Sequence, residues 1–203
     1  MTFCDVLNFL RKGKFVVTLG GEHAITLGPI KAYADYEQQT FSVLHFDAHA
    51  DSMPEYEGSI YSHNSIIARV KELHQVDNVV SIGIRSMSVD EKPYLDHQNV
   101  FYAHQLPLNT DWMTKALNRL SENVYITFDV DVFDSSLMPS TGTPEPGGMF
   151  WNEVMQFVRF VSRERRIIGF DIVELCPLNN LVAPDFLTAK LIYKWLSYIF
   201  ERL

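Results

Sequence analysis

Phe15-Val16-Val17-Thr18-Leu19 and Arg166-Ile167-Ile168-Gly169-Phe170 are the stretches on which the fold turns. Each is short and apolar, and neither alternates cleanly with polar positions. A strand wetted on one face shows that alternation, whereas a strand buried on both faces does not. Runs of the same character lie outward from them at 41–46, 78–82, 100–102 and 124–128. Helical patterns fall between the runs at about 24–37, 64–75, 111–121 and 151–163, after a short one from Asp5 to Lys12. A last helix is predicted from Pro184 to Phe200, because proline suits a first helical position, where its missing N–H costs nothing. Strands alternating with helices predict an α/β three-layer sandwich with a mainly parallel sheet. In such sheets ligands bind beyond the carboxyl ends of the strands.

The 203 residues are 47% hydrophobic and 21% charged, a globular profile sufficient for one domain with a sizeable core. Seventeen basic residues against 25 acidic ones leave a net charge of −8, a poor match to a nucleic-acid partner. Two cysteines, Cys4 and Cys176, make neither a disulfide framework nor a zinc ribbon and fit a reducing, cytoplasmic setting. No run reaches the roughly 18 apolar residues of a membrane span.

Three strand ends carry unusual polar clusters: Gly20-Gly21-Glu22-His23, His45-Phe46-Asp47-Ala48-His49-Ala50-Asp51, and Thr127-Phe128-Asp129-Val130-Asp131. In extended chain, residues i, i+2 and i+4 share one side, roughly 6–7 Å apart per pair. Asp47, His49 and Asp51 can therefore project together, as can Asp129 and Asp131. A lone histidine after a Gly-Gly turn is ordinarily a packing residue, and a lone aspartate a cap. Three ionisable groups on one side of a strand end have little structural use. Four carboxylates and two imidazoles in one crevice would repel without cations, and two divalent ions balance them. Mixed oxygen and imidazole ligation suits Mn²⁺, with Fe²⁺, Co²⁺ and Zn²⁺ as competitors. His45 lies deeper in its strand and reads as a buried, hydrogen-bonded residue. His74, His97 and His104 read as surface residues.

These motifs, with Thr141-Gly142-Thr143-Pro144 and Gly169-Phe170-Asp171-Ile172-Val173-Glu174, resemble the ureohydrolase family of arginase and agmatinase. Tyr61-Ser62-His63, Ile82-Gly83-Ile84-Arg85 and the run from Gly142 to Gly148 are most like agmatinase. The resemblance implies two Mn²⁺ per chain. His23, Asp47, Asp51 and Asp129 would hold one ion, and His49, Asp47, Asp129 and Asp131 the other. Asp47 and Asp129 would bridge. Glu174 would bind the guanidinium, Thr143 would line its pocket, and His63 or Asp131 would supply the proton that the leaving amine needs. A homo-oligomer, trimeric or hexameric, is implied as well.

The family's usual N-terminal strand block has no counterpart before Phe15. Residues 1–203 are accordingly expected to form a single, N-terminally truncated ureohydrolase catalytic domain, with the Phe15 strand at a sheet edge. The expected reaction is hydrolysis of a guanidino compound, agmatine, to putrescine and urea. Met53 stands where arginases place an asparagine that contacts the α-carboxylate of their substrate, and agmatine has no carboxylate to contact. Alternatives are a guanidinobutyrase, or an inactive truncated ureohydrolase that serves as an assembly or regulatory subunit. A single-metal zinc deacetylase of related fold would need a His-His pair that the sequence lacks.

Overall fold

The computed structural model describes residues 2–106 and 111–201. The two ends of the 1–203 span, Met1 and 202–203, lie outside them. Six strands, β1 (Val17–Leu19), β2 (Phe41–Phe46), β3 (Val76–Ile84), β4 (Val100–Tyr102), β5 (Asn123–Asp129) and β6 (Arg166–Val173), form one sheet in the order β1-β6-β5-β2-β3-β4. Every pairing is parallel. The helices are α1 (Thr2–Arg11), α2 (Leu27–Tyr36), α3 (Ile66–Val70), α4 (Trp112–Leu117), α5 (Trp151–Glu164) and α6 (Ala183–Phe200).

The two-residue period of the strands sorts their side chains into two cores, and a bulge in β6 between Ile167 and Gly169 puts Ile168 and Phe170 on opposite faces. Phe41 and Val43 of β2, Tyr125 of β5 and Ile168 of β6 pack with Val6, Leu10, Ile30, Tyr33 and Ile67 from α1, α2 and α3. Leu44, Phe46, Ile126, Phe128 and Phe170 face the other way, against Trp112, Phe157, Leu191 and Trp195 from α4, α5 and α6. Trp195 stacks on Phe170 with ring centroids 4.9 Å apart. This is the predicted three-layer sandwich, with both faces of the sheet covered.

All six strands lie where the sequence places them, and two helices are shorter than their patterns. The stretch 64–75 is helical only over 66–70: residues 63–65 form a 3-10 turn with the Ile67 N–H tied to the Asp51 carbonyl at 2.9 Å, and past Val70 the N–H groups of Glu72 and Leu73 turn back only three residues, to Arg69 (3.2 Å) and Val70 (3.1 Å). The stretch 111–121 is helical only over 112–117. There the Arg165 guanidinium takes the carbonyls of Leu117 (2.9 Å) and Leu120 (3.2 Å), so the chain ends the helix on a side-chain donor. Among the described residues β1 is an edge strand paired only with β6, and Leu19 is 62% exposed. No helix among the described residues is long and apolar enough to cross a membrane.

Gly169 of β6 lies directly under Tyr33 of α2, and a Cβ there would run into the phenol ring. Gly169→Ala should therefore destabilise the fold by about 1–3 kcal/mol, the usual cost of overpacking. Urea denaturation would check this, and a shift under about 0.5 kcal/mol would mean that the helix layer yields freely.

Candidate metal centre

β2 continues to β3 and β4 on one side of the sheet, while β5, β6 and β1 lie on the other. The winding reverses between β2 and β5, and the crevice beyond their carboxyl ends is the natural ligand site of such a sheet. The three polar clusters meet there.

His23 enters on a 3-10 turn after the Gly20-Gly21 corner that ends β1. Its Nε2 lies 2.9 Å from the Thr127 hydroxyl, which donates to Asp171 Oδ1 at 2.7 Å. With its own hydrogen committed to Asp171, Thr127 accepts from Nε2–H, so Nδ1 is the free ring nitrogen. Nδ1 points at Asp47 Oδ2 (3.0 Å), Asp51 Oδ2 (3.2 Å) and Asp129 Oδ2 (3.3 Å). It is fully buried and has no well-formed hydrogen bond. On the other side of Asp47, His49 Nδ1 lies 3.4 Å from Asp47 Oδ1 and 2.9 Å from Asp131 Oδ2. The two oxygens of Asp47 thus face two different imidazoles. His45 behaves as its sequence position suggests: it is buried, with one nitrogen 3.0 Å from the Ser81 hydroxyl and the other 2.8 Å from Asp47 Oδ2. His74, His97 and His104 are exposed.

The backbone is held as tightly as the side chains. Asp51 sits at φ +48° and Glu174 at φ +66°, a region that bulky residues enter only when their surroundings over-determine them. Those surroundings are visible. The Asp51 carbonyl accepts Ile67 N–H, and the next amide, Ser52 N–H, donates to the buried Glu91 carboxylate at 3.1 Å. Glu174 N–H donates to the Gly21 carbonyl at 3.0 Å, and Glu174 Oε1 accepts His23 N–H at 2.6 Å.

Electrostatics test whether this donor set fits cations. Burial, then repulsion from Asp131 and Asp47, pushes the Asp129 carboxyl well up. Burial and the Asp47 charge push Asp51 up to about 6. Burial alone would lower both histidines, but the carboxylates outweigh it. Asp129, Asp47 and Asp51 hold His23 well above its ordinary value, and Asp131 and Asp47 push His49 up to about 11. Protons on His23 and His49 therefore occupy the places that cations would take. The set of His23, Asp47, Asp51 and Asp129 beside His49, Asp47 and Asp131 fits two divalent ions of mixed oxygen and nitrogen preference.

A ligating imidazole must be neutral, so an ion has to displace these protons. Metal affinity should rise with pH, and loading near neutral pH should release protons. Calorimetry in buffers of different ionisation enthalpy would count them. Release of none would show that the two histidines are not ligands.

A cavity of about 350 Å³ opens over the cluster, lined by Glu22, Tyr56, His63, Asn64, Thr143 and Glu174 among others. His63 stands at the mouth, about half exposed, with Nδ1 3.3 Å from Glu22 Oε2. Thr143 Oγ1 reaches Asp131 Oδ2 at 3.4 Å. All nine site residues singled out in the sequence therefore converge here. Sequence reasoning missed Glu22, Tyr56 and Asn64 on the wall. It also missed the Thr127–Asp171 pair behind His23, although Thr127 and Asp171 stand inside the quoted motifs.

Comparison with known proteins gives concordant results. The Arginase family model matches residues 4–197. The chain is 38% identical over 199 residues to N(1)-aminopropylagmatine ureohydrolase of Synechocystis sp., covering 96% of this chain and 64% of that protein. It is 35% identical over 177 residues to the agmatinase of Pyrococcus horikoshii, covering 87% and 60%. The chain thus spans just under two-thirds of the length of such curated relatives. Agmatine ureohydrolase of Thermoplasma volcanium superposes with a TM-score of 0.85 at 31% identity, covering 98% of this chain and 67% of that one. Arginase from Bacillus caldovelox, at 22% identity and a TM-score of 0.83, shares the fold. With the family model matching residues 4–197 and a relative 31% identical superposing over 98% of it, the chain belongs to the arginase family.

Proposed function

We propose that the chain is the catalytic domain of a two-metal amidinohydrolase that cleaves a guanidino compound with a cationic tail, agmatine or an N-substituted agmatine, into urea and an amine. The observation that carries this reading is the two-sided Asp47, whose Oδ2 faces His23 and Oδ1 faces His49, with Glu174 beside them. His23, Asp47, Asp51 and Asp129 would hold one ion, and His49, Asp47, Asp129 and Asp131 the other, Mn²⁺ being the expected metal. When bound, the ions would acidify water enough to supply a nucleophile near neutral pH.

The side chains do the rest. Guanidinium is planar and cationic, and Glu174 can bind it by charge-assisted hydrogen bonds. Oε1 of Glu174 is steadied by His23 N–H, while Oε2 lies toward Gly142. This fixes the carboxylate and so orients the guanidinium carbon. The leaving amine needs a proton, and His63 at the mouth can carry one inward from solvent. Apart from the proposed ligands, the cavity is lined by the acids Glu22 and Glu174 and, among the described residues, by no lysine or arginine, which favours a cationic tail over a carboxylate. Met53 is not on its wall; its sulfur meets the Ser88 hydroxyl at 3.8 Å.

Urea release in the presence of Mn²⁺ tests the reading, with agmatine, N(1)-aminopropylagmatine, guanidinobutyrate and arginine as substrates. The first two are expected to turn over at least about tenfold better in kcat/KM, a difference of about 1.4 kcal/mol. Preference for guanidinobutyrate or arginine would overturn the tail assignment, and no urea from any of them would overturn the activity. Homo-oligomerisation belongs to the same reading and is checked by sedimentation.

A further inference from the structure

Arg85 follows β3 directly and does not line the cavity over the cluster. Among the described residues its guanidinium pairs with no carboxylate. It donates instead to backbone carbonyls of three separate segments. Nη2 reaches Asp131 O (2.7 Å), Glu145 O (2.9 Å) and Phe133 O (3.1 Å); Nε reaches Pro146 O (3.1 Å); Nη1 reaches Gly83 O (3.3 Å) and Val132 O (3.4 Å). The main chain of the same residue grips a further ligand segment. Arg85 N–H donates to the carbonyl of Ala48, between Asp47 and His49, at 2.8 Å, and Ala48 N–H holds Asp131 Oδ1 at 3.0 Å.

The packing is equally committed. A Cβ on Gly148 would lie 2.7 Å from Arg85 Nη2 and 2.5 Å from Asp134 N, so the loop closes on the guanidinium only with glycine there. Asp134 anchors the same loop from its other side, accepting Gly147 N–H (2.7 Å) and Gly148 N–H (3.1 Å). The loop carries Thr143, whose hydroxyl meets Asp131.

We infer that Arg85 is a positioning residue that locks the His49–Asp131 half of the metal site and the Thr143 loop into one register. This rests on the two-metal reading above. A planar fork of five N–H donors can span carbonyls on three segments, and the point-like ammonium of lysine cannot. Arg85→Lys therefore keeps the charge and loses the span. The His23–Asp51 half touches none of the carbonyls that the guanidinium binds, so its ion should be largely spared.

Two measurements on Arg85→Lys test this, with Arg85→Gln as the second variant if the first fails to fold. In metal-free protein, hydrogen exchange at the amides of Asp134, Gly147, Gly148 and Met149 should quicken by about tenfold or more, while β2 and β5 amides keep their protection. In Mn²⁺ titrations followed by calorimetry and electron paramagnetic resonance, the weaker affinity should fall about 10–100-fold, the range for residues that orient ligands, and the tighter one by less than about threefold. Unchanged exchange at those four amides would overturn the clamp whatever the metal stoichiometry. Parallel loss of both ions would overturn it in favour of a general structural role. Wild-type protein that takes up fewer than two ions would instead refute the two-metal reading, and the exchange data would still decide the clamp.

Discussion

Asp47→Asn should bring urea release down by about 10³-fold or more and leave the protein with fewer than two ions. Asparagine keeps the shape of the side chain, but its amide nitrogen cannot serve as a ligand. The substitution therefore disables one of the two oxygens that face His23 and His49 at 3.0 and 3.4 Å. A shared ligand lost from a two-metal site weakens both ions, and the stabilisation that they supply amounts to several kcal/mol. At about 1.4 kcal/mol per tenfold, that is three orders of magnitude. His45 Nε2, 2.8 Å from Asp47 Oδ2, can still meet the side chain, so the fold should survive. Elemental analysis, circular dichroism and a urea assay on one preparation would decide. Two ions and near-normal turnover would remove Asp47 from the bridging position.

Glu174→Gln should separate substrate binding from metal binding. The glutamine oxygen can still accept His23 N–H, so the local hydrogen bonding that steadies the left-handed backbone at this residue is preserved. The charge opposite the guanidinium is gone. Removing one member of a buried, hydrogen-bonded charge pair costs about 2–5 kcal/mol. That corresponds to a fall in kcat/KM of about 30-fold to several thousandfold. Metal content should stay at two ions per chain, and loss of manganese would make Glu174 a ligand.

The fold and the gathering of the candidate ligands were largely legible in the sequence because both are written in short-range spacing. The six strands announce themselves by short, mostly apolar runs without a clean polar alternation. Asp47, His49 and Asp51 announce themselves by a two-residue period at a strand end, although the observed backbone is not a continued strand: Asp51 is left-handed at φ +48°, and Asp131 lies in a 3-10 turn over Val130–Val132 after β5. Helix ends were less legible. The pattern at 111–121 runs past the observed helix because Arg165, remote in sequence, takes carbonyls that the next turn would use, and the pattern at 64–75 ends early where the N–H groups of Glu72 and Leu73 turn back three residues to Arg69 and Val70.

Sequence spacing alone determined that this protein is a parallel α/β sandwich with acids and imidazoles gathered at three strand ends. Only the tertiary structure decided how those ends face one another. It decided that Asp47 turns its two oxygens to different histidines, that Thr127 and Asp171 leave His23 Nδ1 as the free ring nitrogen, and that Arg85 binds three segments at once. The physical reason is distance along the chain. Residues two apart share a face through backbone geometry, whereas His23 and Asp171 are brought together only when β1, β5 and β6 lie side by side in a sheet whose strand order no local pattern encodes.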